Sequence, residues 1–131
     1  MSLEVHVVTP EREVWSGDAT LVVARGVEGD VGIMAQHAPL LIRLAVGPLT
    51  VRREGEDLLA VVDGGFLHVT GADEATRVDV LATSVALADD IDVAAEQERK
   101  ADAESRLATA RDDAEAAAEL AKAQARLKLL G

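Results

Sequence analysis

The sequence predicts an α+β protein in which an N-terminal antiparallel β-sandwich or flattened barrel of eight to ten short strands is followed by a C-terminal two-helix antiparallel hairpin. Three observations support this division. Sixteen of the seventeen valines, nine of the ten glycines and all three prolines lie at or before Val85, and these residue types favour strands and turns. From Asp89 onward, thirteen of forty-three residues are alanine, a helical composition. Apolar residues also change from alternating to helical spacing. We therefore assign residues 1–86 to the sandwich and residues 87–131 to the hairpin.

The strands of the first domain are indicated by alternating apolar and polar residues. Leu3, Val5 and Val7 should face the core, while Glu4 and His6 should face solvent. Similar short runs recur at a spacing typical of an antiparallel sandwich or barrel. They cover residues 20–24, 31–34, 40–46, 49–53, 58–62, 66–69 and 77–81. Turns are expected between them at residues 16–18, 28–30, 47–48, 54–56 and 70–71, and a bulge or tight turn at residues 63–65.

The second domain has the signals of two helices. Asp89 is the expected N-cap of the first helix, and Glu96 with Lys100 forms an i,i+4 pair in the favourable order. The pattern loses phase at residues 111–113, where we expect a turn. An apolar seam then predicts the second helix, and it consists of Ala116, Leu120, Ala123, Leu127 and Leu130.

This hairpin should be only marginally held. Most of the side chains that its first helix offers to a partner are alanines, which bury little apolar area. At about 25 cal/mol per Å² such a seam yields only a few kcal/mol, while ordering each residue costs on the order of 1 kcal/mol. We expect the hairpin to pack in more than one way.

Charge and composition exclude several classes of function. The net charge of −11 disfavours direct binding to nucleic acid or insertion into anionic lipid, because both need clustered Lys and Arg. The sequence has no cysteine, and therefore no disulfide or thiolate metal site. No apolar run approaches the roughly 20 residues of a transmembrane helix, and no signal peptide is evident. We expect a cytoplasmic protein that would associate with a membrane only by binding another protein.

No catalytic, metal-binding or cofactor-binding pattern stands out. His6, His37 and His68 lack the spacing of zinc motifs, so local hydrogen bonding is the simpler interpretation. The carboxylates are scattered over turns and helix faces, and no glycine-rich phosphate loop precedes a helix. We expect no enzymatic activity, no metal and no cofactor.

One loop is better explained by contact with a partner. In "EGDVGIMAQHAPLL", residues 28–41, Gly29 and Gly32 free the backbone for a reversal, Asp30 projects at the tip, and Pro39 restrains the exit. A connection between two strands could be shorter. We favour a contact loop over a simple hairpin.

This stretch resembles the signature loop of the epsilon subunit of F-type ATP synthases, E-G-x-x-G-I-x-x-x-H-A-P-L. "VVDGGFLHV" (61–69) is similar to the S-G-G-type segment of that family, and "AELAKAQARLKLL" (118–130) is similar to its second C-terminal helix. "LEVHVVTPEREVWSG" (3–17) also matches. The resemblance spans essentially the whole chain, and several ordered blocks are more specific than any one of them.

The resemblance implies a non-catalytic central-stalk subunit on the cytoplasmic side of the bacterial membrane, peripheral through the ATP synthase. Its partners would be the gamma subunit, the c-subunit ring and the catalytic alpha and beta subunits. The implied contacts with the ring and gamma are Glu28, Asp30, Gly32, His37 and Pro39. The hairpin would regulate ATP hydrolysis by folding down on the sandwich or extending beside gamma, with Lys122 and Arg126 contacting an acidic partner.

Some bacterial members of the family bind ATP through an I-D-x-x-R-A motif and basic residues of the second helix. Here Ile91 and Asp92 are present, but Ala95 and Glu96 replace the Arg and the Ala. The missing guanidinium removes a bidentate phosphate partner. Lys122 and Arg126 could still attract phosphate, so we expect weak ATP binding or none.

Two other interpretations remain at this stage. One is an unrelated all-β interaction module that oligomerises through its hairpin, which would sediment as a stable dimer or tetramer. The other is a small hydrolase with a carboxylate pair, which would need a concave site with convergent acids.

Overall fold

The computed structural model describes residues 2–71 and 75–131, and within them eight strands precede two α-helices. The predicted fold class is confirmed. The strands are β1 (Leu3–Val8), β2 (Glu13–Ala19), β3 (Leu21–Gly26), β4 (Gly29–Ile33), β5 (Leu40–Arg52), β6 (Leu58–Thr70), β7 (Arg77–Ala82) and β8 (Val85–Leu87).

The strands form one sheet in the order β2-β1-β7-β6-β5-β3-β4, with β8 also paired to β6. Neighbours are antiparallel except β1 and β7, which are parallel. The expectation of a wholly antiparallel arrangement is therefore wrong for this pair. A parallel pair needs a long connection, and the five intervening strands provide one without a crossover helix.

β5 and β6 are longer than the sequence predicts, at 13 residues each. The turns expected at residues 47–48 and 63–65 are wrong, because each lies inside a continuous strand, and the turn expected at residues 16–18 is wrong for the same reason, since it lies inside β2. Gly47 pairs with Val62 and Leu44 pairs with Gly65 in a single register. Gly65 has a φ of +126°, and a Cβ there would lie 2.1 Å from the carbonyl oxygen of Leu81. The glycine therefore permits the close approach of β7, and it marks no turn.

The core lies between the two halves of this folded sheet. Leu3, Val5 and Val7 are fully buried, which confirms the predicted alternation of β1. Ala19 of β2 and Ile33 of β4 belong to the same apolar cluster, although these strands are at opposite ends of the strand order. The sheet must therefore wrap around the core. Among the described strands β2 and β4 are not paired, so the domain is a sandwich and the closed-barrel alternative is excluded.

The hairpin consists of α1 (Val93–Thr109) and α2 (Ala114–Leu130), after a 3₁₀ turn at Ala88–Asp90. The turn expected at residues 111–113 is confirmed. Asp92, and not Asp89, caps α1 by accepting a hydrogen bond from the Ala95 amide at 3.1 Å. The cap was predicted three residues too early because the 3₁₀ turn also contains acidic residues, Asp89 and Asp90. Asp113 caps α2 through the Ala116 amide at 2.9 Å, and this bond lowers the pKa of the Asp113 carboxyl.

The hairpin lies folded against the sandwich, with α2 packed on β5 and β6 and α1 packed on α2. Its buried apolar residues are three alanines, Ala103, Ala116 and Ala123. Val61 of β6 is fully buried but lies outside the main core cluster, on the side of the strand that faces the hairpin. Neither of the helices described here is long and apolar enough to span a bilayer.

Candidate functional site

The contact loop predicted from sequence is divided by β4 into two separate parts. The first is the β3–β4 turn, where Asp30 accepts a hydrogen bond from the Arg25 Nε at 3.0 Å. The turn itself is Val27 and Glu28, and Glu28 is exposed there. Asp30 was expected at the tip, but it is the second residue of β4, where it pairs with Arg25 and is also exposed, and Gly32 follows on the same strand. The turn borders a cleft of about 340 Å³ whose other wall is the segment from Leu41 to Arg43.

The second part is the loop between β4 and β5, which contains His37 and Pro39. Gln36 has a positive φ of 69°, and its amide donates to the Thr76 Oγ1 at 2.6 Å. The His37 Nδ1–H donates to the Ala38 carbonyl at 2.7 Å. Among the described residues no hydrogen bond or ion pair joins His37 to Asp30. The predicted contacts therefore form two patches.

An exposed apolar patch on the outer face of the sheet was missed by the sequence analysis. Leu41, Phe66 and Leu81 are 63%, 45% and 46% exposed. Phe66 and Leu81 are partners across β6 and β7, and Leu41 pairs with His68, two residues from Phe66 on the same face. The available signal was the consecutive apolar residues Leu40–Ile42 and Phe66–Leu67, which break strict alternation and place apolar side chains on both faces of the sheet. We call Leu41, Phe66 and Leu81 the apolar patch.

Beside the apolar patch lies a charged cluster around His6. Its ring bonds to the Glu13 carboxylate at 2.7 Å and to the Glu4 carboxylate at 2.8 Å. These two hydrogen bonds, that to Glu13 foremost, raise the pKa of His6 above its ordinary value. The predicted local bonding is confirmed for His6 and His37. In residues 2–71 and 75–131 there is no group of three or more side chains able to hold a metal ion.

The hairpin meets the sandwich through four charged side chains, Asp63, Glu96, Arg99 and Arg126, which we call the Arg126 cluster. The Arg126 Nη2 donates to the Asp63 Oδ2 at 2.8 Å, and its Nη1 donates to the Glu96 Oε1 at 3.2 Å. Arg99 donates to the Glu96 Oε2 at 2.8 Å, and Ser84 donates to Asp63. The Asp63, Glu96 and Arg126 side chains are 1%, 5% and 16% exposed.

The residues considered for ATP binding are only partly brought together. Ile91, Asp92 and Arg126 line one cleft of about 260 Å³, together with Arg12 and Arg99. Lys122 does not line it and lies 3.8 Å from Glu119 on its own helix. The Asp92 carboxylate is occupied by the α1 cap, and Arg126 already faces two carboxylates. The geometry offers no free bidentate cation at Arg126.

Asp63 and Glu96 were misinterpreted from sequence. Asp63 was assigned to a turn, and Glu96 was expected to pair with Lys100 on an exposed face. Glu96 pairs instead with Arg99 and Arg126. Both residues depart from the family patterns, and this departure was a signal. Asp63 occupies the position of the serine in the S-G-G-type segment, and Glu96 occupies the position of the alanine in the I-D-x-x-R-A motif.

Comparisons with known proteins agree with this architecture. Residues 2–88 match the family described as "ATP synthase, Delta/Epsilon chain, beta-sandwich domain". Among solved structures, a chain of the Euglena gracilis mitochondrial ATP synthase, determined with OSCP, F1 and the c-ring, has a TM-score of 0.85 at 21% identity. The match covers 99% of this chain and 82% of that one. At this identity it supports the fold alone.

Relatives with higher identity are bacterial and cover nearly the whole chain. The ATP synthase epsilon chain of Streptomyces griseus is 48% identical over 122 residues, covering 91% of this chain and 90% of the relative. That of Thermobifida fusca is 42% identical over 130 residues, with 96% and 90% covered. That of Halorhodospira halophila is 40% identical over 134 residues, with 98% and 92% covered. Since sandwich and hairpin are both included in these matches, the chain belongs to the family of ATP synthase epsilon chains.

Proposed function

We propose that this protein is a non-catalytic central-stalk subunit of an F-type ATP synthase, in which the sandwich attaches to the gamma subunit and the c-ring and the hairpin regulates ATP hydrolysis. The observation that carries the proposal is the similarity over almost the full length to chains named ATP synthase epsilon chain. The subunit would be peripheral to the bacterial membrane, on its cytoplasmic side, and it would reach the catalytic alpha and beta subunits when the hairpin extends.

The apolar patch is the surface that we assign to gamma. Exposed aromatic and aliphatic side chains grouped on one face commonly mark a protein interface. Leu41, Phe66 and Leu81 form such a group on a chain with a net charge of −11. His37 and Pro39 lie just before β5 and extend this surface.

The β3–β4 turn is the surface that we assign to the c-ring. Glu28 is exposed at its tip, Asp30 is exposed beside it as the second residue of β4, and Gly32 follows on the same strand. Val27 adds an exposed apolar side chain, so the tip combines an acidic edge with an apolar contact. Such a mixed surface suits a partner that presents polar and basic loops.

The attachment can be tested by recovery of gamma and by coupling of the assembled enzyme. Phe66→Asp should abolish or strongly reduce recovery of gamma, because it places a charge in an apolar interface. Leu130→Asp is the matched control, since Leu130 is a similarly exposed apolar residue at the far end of the hairpin.

Asp30→Lys combined with His37→Ala should weaken assembly and uncouple proton flow from ATP turnover. Normal recovery and coupling in these variants would contradict the assignment.

The regulatory role of the hairpin is supported by its sparse apolar contacts. The fully buried apolar residues of the hairpin are three alanines, and its larger apolar side chains, such as Leu120 and Leu127, are only partly buried, so the free energy that favours one position over another is small. Amide exchange in residues 91–130 should be faster than in β6, and hydrolysis by the assembled enzyme should rise when the chain is ended after Leu87. Equal protection of hairpin and sandwich would contradict a movable hairpin.

Direct ATP binding should be weak or absent. Arg126 is bonded to Asp63 and Glu96, and the position of the motif arginine is occupied by Ala95. Phosphate would have to compete with two internal carboxylates for the same guanidinium. Titration calorimetry should detect no binding at micromolar ATP, and a micromolar dissociation constant would contradict this expectation.

A further inference from the structure

The Arg126 cluster supports an inference about what holds the hairpin, and it rests on the proposed regulatory function. We propose that Arg126, by joining Asp63 of the sandwich to Glu96 of α1, fixes the hairpin in its folded-down position without a bound nucleotide. One guanidinium reaches both carboxylates, at 2.8 Å and 3.2 Å. Each of the three elements β6, α1 and α2 therefore contributes at least one member to a single charge network.

Because its carboxylates are buried, this charge network determines where the hairpin packs on the sandwich. The Asp63 and Glu96 side chains are 1% and 5% exposed, and a buried carboxylate that lacks a cation is strongly disfavoured. A shifted or rotated packing of α2 would leave Asp63 beneath the hairpin with no guanidinium, and Glu96 with only Arg99 of its own helix. The network therefore selects one register of the hairpin, even where its net contribution to stability is small.

The remaining contacts are too weak to select that position by themselves. The hairpin fully buries Ala103, Ala116 and Ala123, and such small side chains fit against a partner in several registers. Its larger apolar side chains, such as Leu120 and Leu127, are only partly buried. The buried Val61 lies on the same side of β6 as Asp63, two residues away, and the hairpin covers it. The apolar contact at Val61 therefore lies next to the charged contact at Asp63.

The Arg126 cluster also allows the hairpin to detach from the sandwich. The Asp63 Oδ1 and the Arg126 Nε are buried and find no hydrogen-bond partner within the described part of the chain. Unsatisfied buried polar atoms subtract from the gain of the bonds that are made. When the hairpin lifts, Asp63 and Arg126 regain water, so the folded-down form is favoured without being permanent.

The position of the hairpin can be measured with a single introduced thiol, because the chain has no cysteine. Val61→Cys places this thiol beneath the hairpin, where its modification rate reports lifting; we call it the hairpin thiol. Val69→Cys, in the main core, reports unfolding of the sandwich, and we call it the core thiol. Without nucleotide, the hairpin thiol in the otherwise native chain should react at least a hundredfold more slowly than a free thiol. Rapid reaction would overturn the proposal.

Arg126→Met should raise the reaction rate of the hairpin thiol tenfold or more and leave that of the core thiol unchanged. Arg106→Met is the matched control, because Arg106 pairs with Asp113 at 3.2 Å inside the hairpin and, within residues 2–71 and 75–131, makes no ion pair with the sandwich; it should leave the hairpin thiol protected. Equal rates in the two variants would overturn the proposal. If Arg126→Met also exposes the core thiol, Asp63→Asn is used in place of Arg126→Met. Asp63→Asn should likewise raise the reaction rate of the hairpin thiol tenfold.

A mutant cycle, in which the two carboxylate substitutions form one arm and Arg126→Met the other, separates charge from packing. Adding Asp63→Asn and Glu96→Gln to Arg126→Met removes the stranded carboxylates, and the reaction rate of the hairpin thiol should fall back by at least fivefold. Simple addition of the separate effects would mean that packing alone holds the hairpin, and it would overturn the proposal. These measurements use the isolated full chain, so they succeed or fail independently of assembly. Hydrolysis by complexes that carry Arg126→Met or Arg106→Met tests the proposed function separately.

Discussion

The sandwich and the hairpin are stabilised by different kinds of contact. In the sandwich, large aliphatic side chains such as Leu3, Ile33 and Leu67 are fully buried in one cluster. In the hairpin, three alanines are buried and a charged network makes the connection to the sandwich. Apolar burial is roughly proportional to area and insensitive to direction, whereas a guanidinium between two carboxylates is directional. The first domain is thus held firmly, and the second is held in a specific place by few interactions.

The largest effect that should distinguish the two regions is truncation of a leucine. Leu67→Ala removes a fully buried side chain of β6 and should lower the free energy of unfolding by about 2–5 kcal/mol. Leu130→Ala removes a half-exposed side chain of α2 and should change it by about 0.5 kcal/mol or less. Denaturant unfolding followed by circular dichroism measures both. Similar losses would remove the distinction between the domains.

A substitution at Gly65 tests whether the close approach of β7 requires a glycine in β6. Gly65→Ala places a Cβ 2.1 Å from the Leu81 carbonyl oxygen, whereas Gly29→Ala, at a similarly positive φ, meets no atom of the described residues within 4 Å. Both variants carry conformational strain of about 1–3 kcal/mol, but only Gly65→Ala must also displace β7. Thermal unfolding should show a clearly larger loss for Gly65→Ala. Equal losses would mean that β7 does not constrain the glycine.

Capping should affect the hairpin more than the sandwich. Asp92→Ala removes the side chain that accepts the Ala95 amide, and losing such a cap costs about 1 kcal/mol. Amide exchange in the first turn of α1 should accelerate, while β6 remains protected. Asp89→Ala is the matched control, because Asp89 is an exposed acid in the preceding 3₁₀ turn. Acceleration by Asp89→Ala alone would contradict the observed cap.

The smallest expected effect concerns His6 on the sandwich surface. Its folded-state pKa is raised above the ordinary value of 6.5 by Glu13 and Glu4. The stabilisation is therefore fully present below pH 6.5 and is lost as the pH rises through the raised pKa. Because the contacts are solvent-exposed, the loss should be below about 1 kcal/mol.

An NMR titration of the His6 ring tests this assignment. Glu13→Gln should lower the pKa of His6 toward its ordinary value. Glu11→Gln, a nearby exposed change outside the cluster, should leave it where it is. A raised pKa that survives Glu13→Gln would contradict the assigned cause.

Much of the fold was predictable because local rules apply directly to it. The alternation of Leu3, Val5 and Val7 predicted β1, and the change to alanine after residue 88 predicted the hairpin. The errors at Gly47 and Gly65 arose because glycine and proline signal turns in isolated segments. Here the long pairing of β5 with β6 outweighs that preference. The residues of the candidate sites were predictable only where they lie together in sequence, as at the β3–β4 turn.

By itself the sequence determined a valine-rich sandwich, an alanine-rich helical hairpin and a strongly acidic surface, since composition and periodicity act over neighbouring residues. Only the tertiary structure decided that Asp63, Glu96 and Arg126 meet, because Arg126 lies 63 and 30 residues along the chain from its two partners and β6, α1 and α2 each supply one member. It likewise decided that Leu41, Phe66 and Leu81 share one exposed face, because that depends on strand register. Pairing between distant segments is set by packing of the whole chain, and no local pattern contains it.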